Sequence, residues 1–181
     1  DCKLGNNPLV IALPYNEEAI VMDMAMSQFS FGAMELAIMK NEKLPQPGGY
    51  DKQSNLTNDP SAIMQSKRSL PVGYWKGAGL SLLLDLLATV LSGGSSTHDL
   101  GKKEAEFGVS QVFICVDLSK LQSQQTIRQA VETIIHDYHQ SVAIEGSKIV
   151  YPGEQVLMKR KNNVENGIPV VKEIWEGILK L

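Results

Sequence analysis

The feature that most constrains the fold is a glycine-rich turn leading directly into a leucine-rich run. The turn, residues 71–79, carries three glycines, and the run after it predicts a helix from about Gly79 to Ser92 that stops at Gly93-Gly94. The apolar stretch from Leu80 to Leu91 is interrupted by Asp85. Because a bilayer span needs roughly 20 apolar residues, we expect a buried helix and no membrane partner.

The same turn is the first candidate for a binding site. Glycine lets a backbone approach a ligand closely, and the free N–H groups at a helix N-terminus favour an anion. Lys76 adds a positive charge where a cation is otherwise unfavourable, and Trp75 offers a flat face for a ring. The pattern is neither a P-loop nor a G-x-G-x-x-G after a strand. A phosphate-bearing ligand and a simple packing role therefore both stay open.

Strand and helix patterns alternate along the rest of the chain. Residues 8–13 and 19–24 predict two strands of a hairpin, connected by the polar residues 15–18. Residues 44–62 hold three prolines and two glycines and are too long for a plain connector, so they are either functional or a packed excursion. Ser27 is the expected N-cap of the first helix. Helices are predicted over residues 27–41, 124–140, 153–165 and 169–180, and a further strand over 109–118. Such interspersed elements predict a mixed α/β domain.

Composition and charge exclude several classes of protein. The 181 residues are 43% hydrophobic and 20% charged, which is ordinary for a globular protein. A net charge of −3 argues against nucleic acid as a partner, since that needs a concentrated basic face. The cluster Lys159-Arg160-Lys161 lies on a predicted helix and is interpreted as a solvated face.

Cys2 and Cys115 form no disulfide framework, so a cytoplasmic location is the default, and Cys115 is expected to be buried.

Two carboxylates and three histidines are candidates for a chemical role. Asp23 ends an apolar strand, where it either caps the next helix or orients a partner such as histidine. Asp85 needs partners if it is buried, and we favour a structural role in which it caps a loop or pairs with a cation. His136 and His139 share a predicted helix but have no apparent third ligand, so no metal site is predicted. His98 lies in an evident surface loop.

Four segments of the chain resemble sequence motifs of the malate/L-lactate dehydrogenase family of non-Rossmann oxidoreductases. They are Leu4–Leu9, Met22–Ser27, Val72–Ser92 and Glu106–Ile114. The resemblance implies NADH-dependent reduction of a 2-oxoacid to a 2-hydroxyacid, with NADPH as a possible alternative. It also implies a family-specific α/β fold, a mixed sheet with flanking helices, and an intertwined homodimer. On this basis residues 1–181 are the NAD-binding portion, and residues from about 120 to 181 pack back toward a segment outside this chain.

The resemblance also assigns three cofactor contacts. The second of them is the pair Trp75 and Lys76. The third is Gly153, Glu154 and Gln155, where the family has P-G-H-E, so Glu154 stands at its histidine and Gln155 at its glutamate. That departure puts side-chain roles there in doubt, whereas backbone contacts survive it. The first contact is the strand end formed by Ala19, Ile20, Val21, Met22, Asp23, Met24 and Ala25.

The family's proton donor, a histidine in an S-H-G phrase, has no counterpart in these residues. His98 follows Thr97 and precedes Asp99 in a different region, so it is not assigned the role. We therefore expect the catalytic half to lie outside this chain, which begins with Asp1 rather than Met, and Asp23 to pair with the absent histidine. Malate, L-lactate or ureidoglycolate dehydrogenation in the same family is an alternative. So is a non-catalytic binding or assembly module.

Overall fold

The computed structural model describes residues 5–181, so Cys2 and the first residue of the Leu4–Leu9 phrase lie outside the described residues. The chain forms two compact units. The first contains the residues through Val10 together with Asp23–Val116, and the second contains Ile11–Met22 and Asp117–Leu181.

The chain opens with the predicted hairpin. Strands β1 (Leu9–Tyr15) and β2 (Glu18–Met24) pair in a two-stranded sheet. Asn16 lies in the connecting turn with φ 55°, a left-handed conformation that asparagine tolerates better than most residues. The prediction of two strands and a polar turn is confirmed.

The buried core of the first unit is built by two helices and a small sheet. Met34, Leu44 and Ile63 form this core. Leu44 belongs to the Pro- and Gly-rich segment 44–62, which is therefore a packed excursion rather than a plain loop. The elements are α1 (Phe31–Met39), α2 (Pro60–Ser66) and an antiparallel sheet in the order β4 (Leu56–Thr57), β3 (Gly49–Tyr50), β5 (Arg68–Ser69).

Helix α1 begins four residues later than Ser27, the predicted N-cap. Ser30 is the actual cap, and its side chain accepts the N–H of Ala33. Ser27 instead pairs with Pro71 in an isolated bridge, and its hydroxyl donates to the carbonyl of Phe29. This pairing holds the backbone extended, which is a long-range effect that local propensity does not register. Because Ser30 caps α1, the capping interpretation of Asp23 is also wrong.

Helix α3 (Trp75–Ser92) starts four residues before the predicted Gly79 and is not a buried helix. Within it only Gly77 and Ser81 are buried. Among residues 5–181, it is the one helix long and apolar enough to cross a membrane by length and composition. One such helix is by itself weak evidence for a span, and the absence of a membrane partner stays a prediction. The exposed apolar side chains of α3 include Leu80, Leu82, Leu83, Leu86, Leu87, Val90 and Leu91.

The predicted strand over residues 109–118 is wrong. Val109 makes only an isolated bridge with Ser95, and Phe113 is 84% exposed. Cys115 is an exposed free cysteine rather than a buried thiol. The physical reason is that no strand within residues 5–181 pairs with this stretch beyond that bridge, and an apolar run becomes a buried strand only when neighbours cover it. A short helix, α4 (Thr97–Leu100), precedes this stretch, and a 3₁₀ turn (Leu118–Lys120) follows it.

The second unit is mainly helical, as its sequence predicts. Of its own residues, all of which are described, only Val131 is a buried hydrophobic side chain. The cluster Lys159-Arg160-Lys161 lies exposed on its second helix, as expected of a solvated face. Its helices are α5 (Gln124–His139), α6 (Glu154–Asn166) and α7 (Lys172–Ile178). The α/β prediction is confirmed at the level of helices combined with small antiparallel sheets. Neither of the two sheets within residues 5–181 is mixed, and the family-specific NAD-binding fold stays a prediction.

Candidate functional site

The N-terminus of α3 presents two of the predicted contact residues to solvent. Trp75 and Lys76 are its first two residues, and the Trp75 side chain is 77% exposed. Lys76 is exposed and forms no ion pair within residues 5–181. The N-cap, Tyr74, makes no capping hydrogen bond and has φ 54° and ψ −117°, a conformation that L-residues rarely adopt. The N–H of Lys76 donates to the carbonyl of Gly73 at 3.3 Å, so the helix end offers the N–H groups of Trp75 and Gly77 together with a cation and a ring.

Two of the three glycines in this turn have a structural reason. Gly73 adopts φ 61°, which a side chain would strain. Gly77 is buried, and a Cβ there would overlap the carbonyl oxygen of Val72. Only Gly79 faces open space, with nothing within 4 Å of its Cβ position. Local structure thus explains Gly73 and Gly77. The part of the turn that a ligand could approach closely is the N-terminal end of the helix.

Asp85 has the structural role that we favoured. Its Oδ1 accepts the backbone N–H of Thr97 at 2.8 Å and the Thr97 hydroxyl at 2.9 Å, so it fixes the start of α4. One turn before it, Ser81 accepts from the side-chain amide of Asn7 at 3.0 Å. Sequence patterns gave no signal for Asn7 or Thr97, because their partners lie far away in the chain. This network holds the middle of α3 and includes no residue of its first turn.

In the second unit, the structure brings together two predicted contact segments. The N–H of Val21, in β2, donates to the carbonyl of Pro152 at 3.2 Å. Gly153 follows with φ 89°, and a Cβ there would lie 3.0 Å from the Val21 carbonyl oxygen. The turn before α6 therefore lies directly against the strand. Around it is an open cavity lined by Tyr138, Val150, Tyr151, Pro152, Gly153, Gln155 and Val156.

Glu154 is the first residue of α6, and its carboxylate is already engaged. Oε2 accepts the N–H of Tyr151 at 3.1 Å and lies 3.3 Å from Nε2 of His139. The ring of Tyr151 packs between Tyr15, at 6.0 Å and nearly perpendicular, and His139, at 5.8 Å. Burial, then the nearby Glu154 carboxylate and Tyr15, raise the pKa of Tyr151. Sequence analysis missed Tyr15 and weighed His139 only as a metal ligand.

The remaining predicted residues lie where β2 ends. Asp23 has an exposed side chain, and within residues 5–181 it makes no side-chain hydrogen bond. Met24 ends the strand, and Ala25 follows it. The part of the chain that the structure describes holds no group of three or more potential metal ligands, and His136 bonds instead to the Gln140 side chain at 2.7 Å.

Several curated proteins similar to the chain are named 2,3-diketo-L-gulonate reductase. A 2,3-diketo-L-gulonate reductase of Citrobacter koseri is 39% identical over 184 residues, which is 100% of this chain and 55% of that protein. The protein of the same name from Escherichia coli O6:K15:H31 is 40% identical over the same shares. The chain thus spans about half the length of the curated relatives it matches.

Solved structures agree in fold. A malate dehydrogenase from Pyrococcus horikoshii gives a TM-score of 0.80 at 23% identity, over 98% of this chain and 50% of that one. A malate dehydrogenase from Entamoeba histolytica gives 0.81 at 14% identity, over 96% and 53%. The model of the family described as malate/L-lactate dehydrogenase matches residues 1–179. The chain therefore belongs to the malate/L-lactate dehydrogenase family, a family of oxidoreductases.

Proposed function

We propose that this chain is the cofactor-holding portion of a reductase that reduces the keto group of a 2-oxoacid. The observation that carries the proposal is the contact between β2 and the turn at Pro152-Gly153. It joins two of the three segments that the family resemblance assigns to the cofactor. A dehydrogenase family implies a nicotinamide cofactor, and we propose NADH, with NADPH as the alternative.

The residues at the start of α3 fit a dinucleotide. The Lys76 side chain and the N–H groups of Trp75 and Gly77 would hold the pyrophosphate, since both favour a negative charge there. The exposed ring of Trp75 would pack on a flat ring of the ligand. When bound, the nicotinamide supplies the hydride, and the protein's part is to bind and orient it.

The third contact would be made mainly by backbone. The Glu154 carboxylate is occupied by the Tyr151 N–H and by His139, so it acts within the protein. Gly153 lies at the surface of the turn, and Gln155 has an exposed side chain beside it. This agrees with the departure from P-G-H-E, because a backbone contact does not depend on which side chain follows Gly153.

The substrate proposed first is 2,3-diketo-L-gulonate, reduced to 3-keto-L-gulonate. The support is the name shared by relatives 39–40% identical to the whole chain. Malate, L-lactate and ureidoglycolate are the alternatives, and rates compared across these acids would rank them.

We assign no residue of this chain as proton donor, and we propose that Asp23 pairs with a donor histidine supplied from outside it. A homodimer is proposed on the resemblance alone, and its mass in solution would test it; a cytoplasmic location is proposed because the cysteines form no disulfide framework.

Replacing Lys76 tests the cofactor site. We expect Lys76→Ala to weaken NADH binding by about 1–3 kcal/mol, because a hydrogen bond to a charged group is lost. The measurement is a fluorescence titration with NADH. Lys40→Ala is the matched control, an exposed lysine of the same unit at the end of α1, and should leave the titration unchanged. If Lys76→Ala titrates like Lys40→Ala, the assigned role of Lys76 is wrong.

A second candidate function is a non-catalytic binding or assembly module. It is favoured by the lack of an S-H-G histidine in these residues. Turnover of 2,3-diketo-L-gulonate by the 181-residue chain with NADH separates the two. Robust turnover without any added segment would exclude the module and would also show that the donor lies within this chain. NADH binding without turnover fits the cofactor-holding portion, whereas a chain that neither binds NADH nor turns over the substrate favours the module.

A further inference from the structure

We propose that His139 is a positioning residue for the cofactor turn. From the end of α5 it holds the Glu154 carboxylate, and through that carboxylate it orients the turn before α6 against β2. The inference rests on the proposed function, since that is the source of the turn's role in cofactor binding. His139 itself need not touch the cofactor.

The first support is that one oxygen of Glu154 has two partners. Oε2 accepts the Tyr151 N–H at 3.1 Å and lies 3.3 Å from Nε2 of His139. A carboxylate bound only to Tyr151 would be free to rotate, whereas the second partner fixes its direction. The position suits a negative charge, because Glu154 is the first residue of α6 and lies at its positive end.

The second support is ring packing on the same turn. The His139 ring lies 5.8 Å from the Tyr151 ring, and Tyr151 also packs edge-on against Tyr15, the last residue of β1. His139 therefore holds the turn in two ways, by its nitrogen through Glu154 and by its ring through Tyr151. These two contributions can be separated by choosing the substituted side chain.

The third step connects the turn to the strand. Pro152, between Tyr151 and Gly153, accepts the Val21 N–H at 3.2 Å. A turn that loses its anchor on α5 keeps this bond to β2 and the packing of Tyr151 on Tyr15, but the Gly153 backbone becomes less well placed relative to Val21. The side chains of His139 and Glu154 are 35% and 24% exposed, and solvent screens their pairing. A modest effect on binding is therefore expected, with no loss of fold.

The experiment compares four substitutions by fluorescence titration with NADH. His139→Ala and His139→Phe should each raise the Kd about two- to fivefold, as for a partly exposed pair. Phenylalanine keeps a ring against Tyr151 but has no nitrogen for Glu154. His139→Gln keeps a donor and should stay within about 1.5-fold of the unchanged chain. His136→Ala, one turn earlier on α5 with Gln140 as its partner, is the control and should also stay within that limit.

The outcomes separate the inference from the function on which it rests. If the unchanged chain binds NADH and His139→Phe binds it equally well, the positioning role is wrong and the cofactor site stands. If the unchanged chain binds neither NADH nor NADPH, the proposed function fails and the inference fails with it. Circular dichroism reports folding, and if His139→Ala unfolds, the difference between His139→Phe and His139→Gln decides. Weakening in His139→Phe that His139→Gln does not share supports the role.

Discussion

Two regions of the first unit have burial opposite to what their compositions suggest. The stretch from Leu44 to Leu70 begins as a Pro- and Gly-rich loop by sequence, yet it supplies Ile63 and Leu44 to the core. Helix α3 is rich in leucine, yet it buries only Gly77 and Ser81. The comparison teaches that burial follows from what packs opposite a side chain, and that the side chain's own hydrophobicity is not sufficient.

The first region has its packing partners within the described chain. The β3–β5 sheet and helix α1 lie around Ile63, and Gly49 allows an approach so close that a Cβ there would lie 2.7 Å from the Ile63 side chain. The leucines of α3 have no such cover within residues 5–181. The expectation of a buried helix is therefore wrong, because nothing within the described residues packs over these side chains.

The sharpest test of this comparison is one truncation in each region. Ile63→Ala removes a side chain that is 0% exposed and should lower the free energy of unfolding by about 2–5 kcal/mol. Leu83→Ala removes the same number of carbon atoms from α3, but Leu83 is 56% exposed, and the change in the free energy of unfolding should be within about 0.5 kcal/mol. Urea unfolding followed by circular dichroism measures both.

The result for Leu83 also decides whether α3 is covered in solution. If Leu83→Ala lowers the free energy of unfolding nearly as much as Ile63→Ala, the difference between the two regions does not hold in solution. A second chain or a second copy then buries this face of α3. Sedimentation of the unchanged chain at several concentrations is the companion measurement, because a cost from association must depend on protein concentration. A small loss of stability in Leu83→Ala at every protein concentration means that this face stays exposed to solvent.

The next test stays within α3 and uses its own glycines. Gly77→Ala places a methyl group against the Val72 carbonyl and should destabilise the chain by about 1–3 kcal/mol through overpacking. Gly79→Ala meets nothing within 4 Å and should stabilise it by about 0.5–1 kcal/mol, since alanine is the better helix former. Thermal unfolding of the two variants gives the sign of each. Equal effects at both positions would mean that the first turn of α3 does not pack on Val72.

Local patterns predicted the elements whose signals are local. The β1–β2 hairpin with Asn16 in its turn, and helix α5 almost to the residue, follow from alternation, turn residues and helical periodicity. The structural role of Asp85 followed from the cost of burying a carboxylate in an apolar run. In each case the deciding interaction lies close in sequence or depends on a single side chain.

The features that sequence missed depend on distant partners. Ser30 rather than Ser27 caps α1 because Ser27 is held by Pro71. In the candidate site, sequence motifs identified the glycine-rich turn and the turn at Gly153. They did not indicate that His139 contacts the carboxylate of Glu154. Those two residues are 15 positions apart, and no periodicity connects the end of one helix with the start of the next.

The last test contrasts how helices α2 and α3 begin. Helix α2 is capped by Asp59, which accepts the N–H groups of Ser61 and Ala62, whereas the cap of α3 makes no such bond. The hydrogen bond from Lys43 and those backbone bonds hold the pKa of Asp59 below its ordinary value. Asp59→Ala should therefore cost about 0.5–2 kcal/mol at neutral pH.

The pH dependence of this cap has a definite sign. A carboxyl with a lower pKa in the folded state stabilises the fold above its unfolded pKa of about 3.9, and that stabilisation is lost as the pH falls through the folded value. Asp59→Asn keeps the capping oxygen but cannot ionise, so it is the matched control. The stability difference between the unchanged chain and Asp59→Asn should be constant from pH 7 to about 5 and shrink below about pH 4 in urea titrations. Parallel curves down to pH 3 would mean that the charge of Asp59 contributes nothing, and that the caps of α2 and α3 differ only in hydrogen-bond geometry.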